Sequence, residues 1–240
     1  MEKSISYIIA GYNEEAVIEQ AVRECHAILS EDFDDFELIL VDDASKDHTR
    51  EIMDRLSLEL SCVHVLHNLI NLNFGTSVLR GMNFATKDIV IFNAADLPLS
   101  PKLTKSIAKE MVDCDLLVLE RETYPGAKWR KIASSFNKLF LYILYPGLMR
   151  GTPVVNYVQV FRREIIGRIL PLARSPIFVW PEMIFRGKRD KTIRVKNKAV
   201  PVNISVSEHK RKGAFGKPND IIWGMYDMFR FRIRSWMKKI

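Results

Sequence analysis

The chain has 240 residues, of which 48% are hydrophobic and 27% are charged, and this is enough for one well-buried α/β domain. No apolar run approaches the roughly 18 residues that span a bilayer, and the short apolar run near the start meets acidic residues at once. We therefore predict neither a membrane-spanning helix nor a signal peptide. The net charge is +7, and lysine and arginine crowd residues 121–240, which favours a polyanionic partner such as nucleic acid, phospholipid headgroups or a phosphorylated substrate.

The first half of the chain alternates β-branched runs with segments of helical periodicity. Strands are predicted at residues 4–10, 36–41, 62–66 and 88–93, with a helix after each of the first three. Asn13 is expected to cap the first helix, and Ser45 or Asp47 the second. Because strands that alternate with helices through short turns form a mostly parallel sheet, the pattern predicts an α/β fold with helices on both faces.

The pattern loosens after Asp96. The predicted elements are a helix over 101–112, a strand over 115–119, a mainly helical segment over 127–149, a strand over 157–161, a short helix from Arg163, and strands over 192–195 and 199–202. Residues 221–240 mix tryptophan, phenylalanine and isoleucine with arginine and lysine. They could form an edge strand or a basic helix that lies on a membrane surface.

Acidic residues follow three of the predicted strands. They are Glu14, the pair Asp42-Asp43, and Asp96. One such turn is commonly only a helix cap, but parallel strands place their carboxyl ends together, where open α/β sheets bind ligands. We therefore predict a shared site, whose carboxylates can accept hydrogen bonds from a base or ribose and hold a divalent cation against a diphosphate.

Three motifs occur in order along this half of the chain. They are Ala10-Gly11-Tyr12-Asn13-Glu14-Glu15, Val41-Asp42-Asp43-Ala44-Ser45-Lys46-Asp47-His48-Thr49, and Asn73-Phe74-Gly75 with Gly81. The chain resembles the family 2 glycosyltransferases of GT-A fold, and in detail the dolichyl- or polyprenyl-phosphate sugar transferases. The resemblance covers about residues 4–217. It implies a GT-A domain over residues 1–218, a nucleotide-diphosphate-sugar donor, and inverting transfer of the sugar to a polyprenyl-phosphate lipid. Residues 219–240 would be a basic, aromatic tail at the membrane surface.

The resemblance also implies which residues form the site. The positions that match the nucleotide-sugar-binding positions of the family are Ala10, Tyr12, Glu14, Val41, Asp43, Ala95 and Asp96. Those that match phosphate- or acceptor-binding positions are Arg121, Arg130, Arg211 and Lys217. The implied catalytic residues are Asp96 and Arg121, and Asp96 is also the implied ligand of a Mg²⁺ or Mn²⁺ ion.

The metal motif departs from the family pattern. The family has D-x-D with glutamine two residues later, whereas this chain has Ala94-Ala95-Asp96-Leu97-Pro98. Asp96 could complete a weak site with water and diphosphate oxygens, or Arg121, Arg211 and Lys217 could replace the cation. The third alternative is loss of catalysis, which would leave a binding or regulatory protein.

Chemistry favours a phosphate acceptor over a hydroxyl acceptor. Transfer to a hydroxyl needs a general base, and hydroxyl-acceptor relatives supply it with an E-D pair and a Q-x-x-R-W helix. Neither motif occurs in this chain, and Trp180-Pro181-Glu182 is the segment most similar to them. A lipid phosphate is already anionic and needs cations instead of a base. A hydroxyl acceptor in cell-surface polysaccharide synthesis is the alternative. We expect a cytoplasmic protein, peripheral on the inner face of the cell membrane, without a nucleic-acid partner because no binding motif accompanies the basic half.

Overall fold

The computed structural model describes residues 4–121, 139–145, 158–171, 178–201 and 218–236. Its centre is a seven-stranded sheet in the order β3-β2-β1-β4-β6-β5-β7. The strands are β1 (Ile5–Gly11), β2 (Phe36–Asp42), β3 (Val63–His67), β4 (Ile89–Ala94), β5 (Leu116–Arg121), β6 (Gln159–Arg162) and β7 (Val195–Val200).

Helices connect and cover these strands. In the described residues they are α1 (Ile18–Asp32), α2 (Thr49–Glu59), α3 (Asn73–Phe84), a 3-10 turn (Pro101–Leu103), α4 (Thr104–Glu110), α5 (139–144), α6 (Arg163–Ile169), α7 (Val179–Arg189) and α8 (Pro218–Trp236). The predicted α/β architecture is therefore confirmed.

The strand directions bring most carboxyl ends to one side of the sheet. β1 is parallel to β2 and β4, and β2 is parallel to β3. β6 is antiparallel to both β4 and β5, so β5 points the same way as β4, and β7 is parallel to β5. We call the side reached after Gly11, Asp42, His67, Ala94 and Arg121 the carboxyl edge.

A separate hydrophobic cluster covers each face of the sheet. Ile5, Tyr7 and Ile9 of β1 belong to the cluster under α1, α2 and α4, whereas Ile8 and Ala10 belong to the cluster under α3, α6 and α7. This alternation follows from the two-residue period of a strand. Because both faces are covered, β1 is buried along its whole length, and only its ends are available to a ligand.

The structure differs from the predicted elements at two places in the second half of the chain. The two strands predicted at 192–195 and 199–202 are the single strand β7. Asp190 Oδ1 accepts the N–H of Thr192 at 3.0 Å, which makes a turn there instead of a strand. The segment that contains Trp180-Pro181-Glu182 forms the helix α7, where no element was predicted. Residues 122–138 and 146–157 lie outside the described residues, so most of the predicted helical segment at 127–149 does too.

Residues 218–236 form a helix, α8, so the edge-strand alternative is wrong. Met228 and Phe231 of α8 are buried in the cluster that covers α7. Tyr145, just after α5, donates a hydrogen bond to the carbonyl of Met228. None of the helices in the described part of the chain combines the length and apolar character that crossing a bilayer requires.

Candidate functional site

Backbone strain is concentrated at the carboxyl edge. Among the described residues, the non-glycine residues with positive φ are Asn13 (56°), Ala44 (62°), Asn73 (68°) and Leu97 (44°). Asn13, Ala44 and Leu97 lie in the turns after β1, β2 and β4, and Asn73 ends the turn after β3 as the first residue of α3. For Ala44 and Leu97 this conformation costs roughly 1–2 kcal/mol each, and such residues cluster at ligand sites. The strain marks these four turns as the candidate site.

The turns after β1 and β2 are fastened to each other by hydrogen bonds. The first turn donates from Asn13 N to Ser45 Oγ (3.0 Å), from Glu14 N to Thr49 Oγ1 (2.8 Å) and from Glu15 N to Asp47 Oδ2 (3.2 Å). The second turn donates from Lys46 N to Asn13 Oδ1 (2.8 Å) and from His48 N to Glu15 Oε2 (3.0 Å). We call this set of bonds the two-turn clamp.

The clamp explains the spacing Ser-x-Asp-x-Thr and corrects one predicted cap. Asn13 does not cap α1, because its side chain accepts Lys46 N and α1 begins only at Ile18. The side chain of Ser45 does not cap α2, because its Oγ accepts Asn13 N in the clamp. Asp47 Oδ1 does accept the N–H of Thr49, the first residue of α2, at 3.0 Å. Burial opposes ionisation of Asp47, but the bonds from Thr49 and Glu15 outweigh it and lower the pKa of this carboxyl.

Asp43 ties the second turn to the segment after β3. It is buried, and its Oδ1 accepts hydrogen bonds from Asn68 Nδ2 (2.8 Å) and Leu72 N (2.7 Å). None of the described residues donates a hydrogen bond to Oδ2. One oxygen of Asp43 therefore builds the site, and the other is available to a hydrogen-bond donor on a ligand.

The neighbouring Asp42 has a structural role. It is buried, its Oδ1 accepts the N–H of Ser45 at 2.9 Å, and its Oδ2 lies 3.2 Å from Nδ1 of His67. His67 in turn contacts Asp54 of α2 through Nε2 at 2.8 Å. Both oxygens of Asp42 are thus engaged in holding β2, β3 and α2 together, which separates its role from that of Asp43.

Asn93 holds the turn after β4. Its side chain is fully buried, and Nδ2 donates to the hydroxyl of Tyr7 (3.0 Å) and to the carbonyl of Leu99 (2.7 Å). Buried amides that bridge strand and loop in this way fix loop geometry, because breaking either bond would leave a buried polar group unsatisfied. Asn93 therefore fixes the course of residues 94–99.

Asp96 lies inside that turn. The N–H of Leu97 donates to the carbonyl of Ala94 at 2.9 Å, which closes a tight turn around Asp96. Asp96 is half-buried, with its Oδ1 atom buried. The structure thus presents this carboxylate at the carboxyl edge, as the sequence predicted.

The first and fourth turns approach each other at Gly11. At Gly11, a β-carbon would lie 3.1 Å from Cγ of Glu14 and 3.5 Å from the β-carbon of Ala95. The side chain of Glu14 therefore folds over Gly11, beside the residue that precedes Asp96. Glu14 and Ala95 are thus both neighbours of Gly11, and Asp96 directly follows Ala95.

The other predicted nucleotide-binding residues differ in accessibility. Tyr12 is exposed at the carboxyl edge. Ala10, Val41 and Ala95 have buried side chains that belong to the hydrophobic clusters, so only their main chains could meet a ligand. These three positions shape the site more than they line it.

The predicted cations are only partly described. Arg121 ends β5 at the carboxyl edge, where it is paired with Val200 of β7. Its strand position is therefore consistent with a role at this edge. Arg130, Arg211 and Lys217 lie outside the described residues.

Sequence reasoning missed several polar residues that build the site. Asn68 and Asn93 were not singled out, although an amide that ends the apolar run Ile-Val-Ile-Phe is itself a signal. Gln159, the first residue of β6, is fully buried, and neither amide atom has a hydrogen-bond partner among the described residues. A buried polar residue in an otherwise apolar strand could have identified both Asn93 and Gln159.

The side chains available as metal ligands limit how a metal ion could be bound. Among the described residues, no group of three or more His, Cys, Asp or Glu side chains could hold a metal ion. Asp96 supplies one carboxylate at the edge. Mg²⁺ is commonly held by one or two carboxylates together with substrate phosphates and water. The residues present therefore fit a cation that is bound jointly with a diphosphate.

Comparison with known proteins adds relatives by sequence. The model of the family "Glycosyl transferase family 2" matches residues 6–170. An undecaprenyl-phosphate 4-deoxy-4-formamido-L-arabinose transferase of Salmonella paratyphi A is 26% identical over 183 residues, which cover 74% of this chain and 54% of that protein. The chain thus spans about half the length of the curated relatives it matches.

Solved structures show the same fold. Glucosyl-3-phosphoglycerate synthase from Mycobacterium tuberculosis, in complex with Mn²⁺, UDP-glucose and phosphoglyceric acid, gives a TM-score of 0.67 at 18% identity. The same enzyme with Mg²⁺ and UDP gives a TM-score of 0.66 at 18% identity. In the first case the match covers 97% of this chain and 79% of the synthase, and the second has the same coverage. The fold is therefore GT-A. Since the family model matches more than half of its residues, the chain belongs to glycosyl transferase family 2.

Proposed function

We propose that the protein transfers a sugar from a nucleotide-diphosphate sugar to a polyprenyl-phosphate lipid, with inversion at the anomeric carbon. The observation that carries this proposal is the convergence of Glu14, Asp43 and Asp96 on three adjacent strands. Neighbouring strands lie about 4.8 Å apart, so the turns after β2 and β4 are separated by roughly 10 Å, which suits a nucleoside diphosphate.

In this proposal, the donor lies across the turns in a fixed order. Asp43 would accept a hydrogen bond from the base through Oδ2, and Glu14 would bind the nucleoside beside it. Asp96 would lie at the diphosphate. The two-turn clamp holds the first two turns before the donor arrives, so little ordering is needed on binding. Arg121, Arg211 and Lys217 would balance the phosphates of donor and acceptor.

A divalent cation would supply charge stabilisation for the leaving diphosphate when bound. Asp96 would hold Mg²⁺ or Mn²⁺ together with diphosphate oxygens and water. The M. tuberculosis synthase was crystallised with either ion and UDP, which supports this assignment.

The proposed reaction is a single displacement. An oxygen of the acceptor phosphate forms a bond to the anomeric carbon while the bond from that carbon to the donor diphosphate oxygen breaks. The nucleoside diphosphate leaves with the electron pair of that bond. Because the phosphate oxygen is already anionic, no proton has to be removed, and this chain needs cations where a hydroxyl-transferring enzyme needs a base.

The environment of Glu182 favours the phosphate acceptor over a hydroxyl. Glu182 was the nearest sequence candidate for a general base. It is buried in the first turn of α7, and Nε of Arg186 donates to its Oε1 at 2.8 Å. A carboxylate that is committed to a neighbouring guanidinium is poorly placed to remove a substrate proton. The undecaprenyl-phosphate transferases among the relatives also support a lipid phosphate, and we place the protein on the inner face of the cell membrane.

The transfer reaction itself tests the proposal. Purified protein would be incubated with a panel of nucleotide sugars and either a polyprenyl phosphate or the corresponding polyprenol, with Mg²⁺, Mn²⁺ or a chelator, while glycolipid is followed. We expect glycolipid to form with the polyprenyl phosphate and not with the polyprenol. No product with any donor would contradict the proposed enzyme, and equal product with the polyprenol would contradict the acceptor.

A variant of Asp96 tests its role in the same assay. Asp96→Asn should lower turnover by about 100-fold or more, because an amide binds a divalent cation much less strongly than a carboxylate. Asp113→Asn, which changes an exposed carboxylate elsewhere, is the control and should retain full turnover. Unchanged turnover in Asp96→Asn would contradict the assignment, and wild-type turnover that a chelator does not lower would contradict only the metal.

A further inference from the structure

Two helices carry a concentration of exposed hydrophobic side chains. Among the described residues, the exposed large hydrophobic residues of α5 and α8 are Leu139, Tyr142, Ile143, Met225, Tyr226, Phe229, Ile233 and Trp236. Trp236 is 82% exposed, which is exceptional for the largest apolar side chain. We call these eight residues the α5–α8 apolar surface.

The two helices form one continuous surface because they are packed against each other. The rings of Phe140 and Phe229 lie edge to face with centroids 5.5 Å apart, and Tyr145 donates its hydroxyl to the carbonyl of Met228. On the opposite side of α8, the ring of Phe231 packs 5.7 Å from that of Phe178. The inner side of α8 is thus already covered, and the exposed residues form its outer side.

The outer side of α8 is apolar where a surface helix is normally polar. Met225, Phe229 and Trp236 recur at near-helical spacing along it, and Tyr226 and Ile233 flank them. A helix that is apolar on both sides needs a second apolar environment, and contiguous exposed apolar patches mark interaction sites.

The charges beside this surface identify its partner. Arg232 is exposed, and Arg230 and Arg234 are partly exposed. The one acidic residue of α8 whose side chain is described, Asp227, is buried, and residues 139–145 contain no charged residue. Aromatic side chains at the level of arginines, without an exposed carboxylate among the described residues of either helix, complement anionic phospholipid headgroups. A second copy of the chain would bring the same arginines together.

The residues beneath this surface are connected to β4 by aromatic contacts. The ring of Tyr145 lies 5.8 Å from that of Phe178, the residue before α7. In the first turn of α7, Trp180 stacks on Phe92 of β4 with ring centroids 4.5 Å apart. Phe92 lies four residues before Asp96 on the same strand and turn. A series of buried aromatic contacts therefore runs from the inner side of these helices to the strand that ends at the candidate site.

We propose that the α5–α8 apolar surface docks on an anionic phospholipid bilayer, with its aromatic and aliphatic side chains in the interface and its arginines at the headgroup phosphates. The biological purpose of this docking rests on the proposed function. The docking itself can be measured without a sugar donor, so the two proposals can fail separately.

Vesicle binding tests the apolar contribution. The full chain would be sedimented with vesicles of phosphatidylcholine alone or with phosphatidylglycerol, comparing wild type with Ile143→Ser/Ile233→Ser. We expect wild type to prefer the anionic vesicles, and the variant to bind them at least tenfold more weakly. The matched control is Leu58→Ser/Val112→Ser, at exposed positions in α2 and just after α4 on the other face of the sheet, and it should bind like wild type.

A second pair of variants tests the contribution of the arginines to vesicle binding. Arg232→Gln should weaken binding to anionic vesicles about fivefold and leave binding to neutral vesicles unchanged, whereas Lys191→Gln, at an exposed site outside both helices, should change neither. All substituted positions are exposed, and equal thermal unfolding curves would verify the fold. Equal binding by wild type and Ile143→Ser/Ile233→Ser would overturn the proposal. It would also be overturned if that variant converted a dimer to a monomer in sedimentation without losing vesicle binding.

Discussion

Thr49 and Thr104 are each the first residue of a helix, and both are fully buried, yet their hydroxyls have different surroundings. Thr49 Oγ1 accepts the N–H of Glu14 at 2.8 Å and donates to Asp47 Oδ1 at 2.5 Å. Thr104 Oγ1 has no hydrogen-bond partner among the described residues. The same residue type therefore builds the candidate site in one case and buries an unsatisfied hydroxyl in the other.

This contrast predicts opposite effects of one substitution. Thr49→Val should lower the free energy of unfolding by about 1–3 kcal/mol, because Glu14 N and Asp47 each lose a buried partner. Thr104→Val should leave it unchanged or raise it by up to about 1 kcal/mol, because a methyl group replaces an unpaired hydroxyl. Urea unfolding at pH 7 measures both. An equal loss in the two variants would show that the hydroxyl bonds of the two-turn clamp do not contribute as proposed.

The site residues that sequence predicted are those with a local pattern. Glu14, Asp43 and Asp96 each follow a strand, so the alternation of elements was enough to bring them to one edge. Asn93 and Asn68 were missed because their partners are far away in sequence, as with Tyr7, 86 positions from Asn93. Residue spacing carries no information about such a partner until the strand order is known.

At the scale of elements, Asp115 joins three strands at the start of β5. Its carboxylate accepts hydrogen bonds from Arg194 N (2.9 Å) and Arg194 Nη2 (2.8 Å), just before β7, and lies 3.1 Å from Nε of Arg162 at the end of β6. The hydrogen bonds from Arg194 lower the pKa of Asp115, although burial acts against them. This carboxylate fixes the register of the strands on that side of the sheet.

We therefore predict that Asp115 makes a pH-dependent contribution to the free energy of unfolding. At pH 7, Asp115→Asn should lower the free energy of unfolding by about 2 kcal/mol, since bonds from charged donors are lost. A lowered folded pKa means that this stability is fully present above the unfolded pKa of about 3.9 and is lost as the pH falls through the folded value. The difference between wild type and variant should thus shrink below about pH 4.

Urea unfolding at pH 7 and pH 3 measures this difference, with Asp113→Asn as the matched control. Asp113 is an exposed carboxylate 3.5 Å from Lys196, and such pairs contribute little. We expect the control to match wild type at both pH values. A difference for Asp115→Asn that is the same at pH 3 as at pH 7 would contradict the ionic role.

The errors at the element scale share a physical cause. No helix was predicted over α7, whose first turn contains Pro181, although proline is tolerated there because its missing N–H is not needed. The strand β7 was divided because Lys196, Asn197 and Lys198 are polar, although an edge strand needs no apolar side chain on its outer face. Local composition does not reveal whether a segment lies at an edge.

In the whole molecule, the two halves of the sheet have different roles. The run β3-β2-β1-β4 is parallel and carries the four strained turns, whereas β6, β5 and β7 extend the sheet away from them. The alternation of strands and helices predicted the first part. The insertion of β6 between β4 and β5 could not be predicted, because a four-residue strand has too few residues to reveal its direction or its neighbours.

We propose above that the turns after β1, β2 and β4 bind a nucleoside diphosphate. The most direct test is calorimetric titration of the protein with a panel of nucleoside diphosphates and Mg²⁺, comparing wild type with Asp43→Asn. Asparagine keeps the Oδ1 acceptor that Asn68 and Leu72 need, but it replaces the oxygen that would meet the base with a donor. We expect one binding site for at least one nucleotide, and an affinity at least tenfold weaker in the variant. Absence of binding by every nucleotide, or equal affinity in wild type and Asp43→Asn, would contradict it.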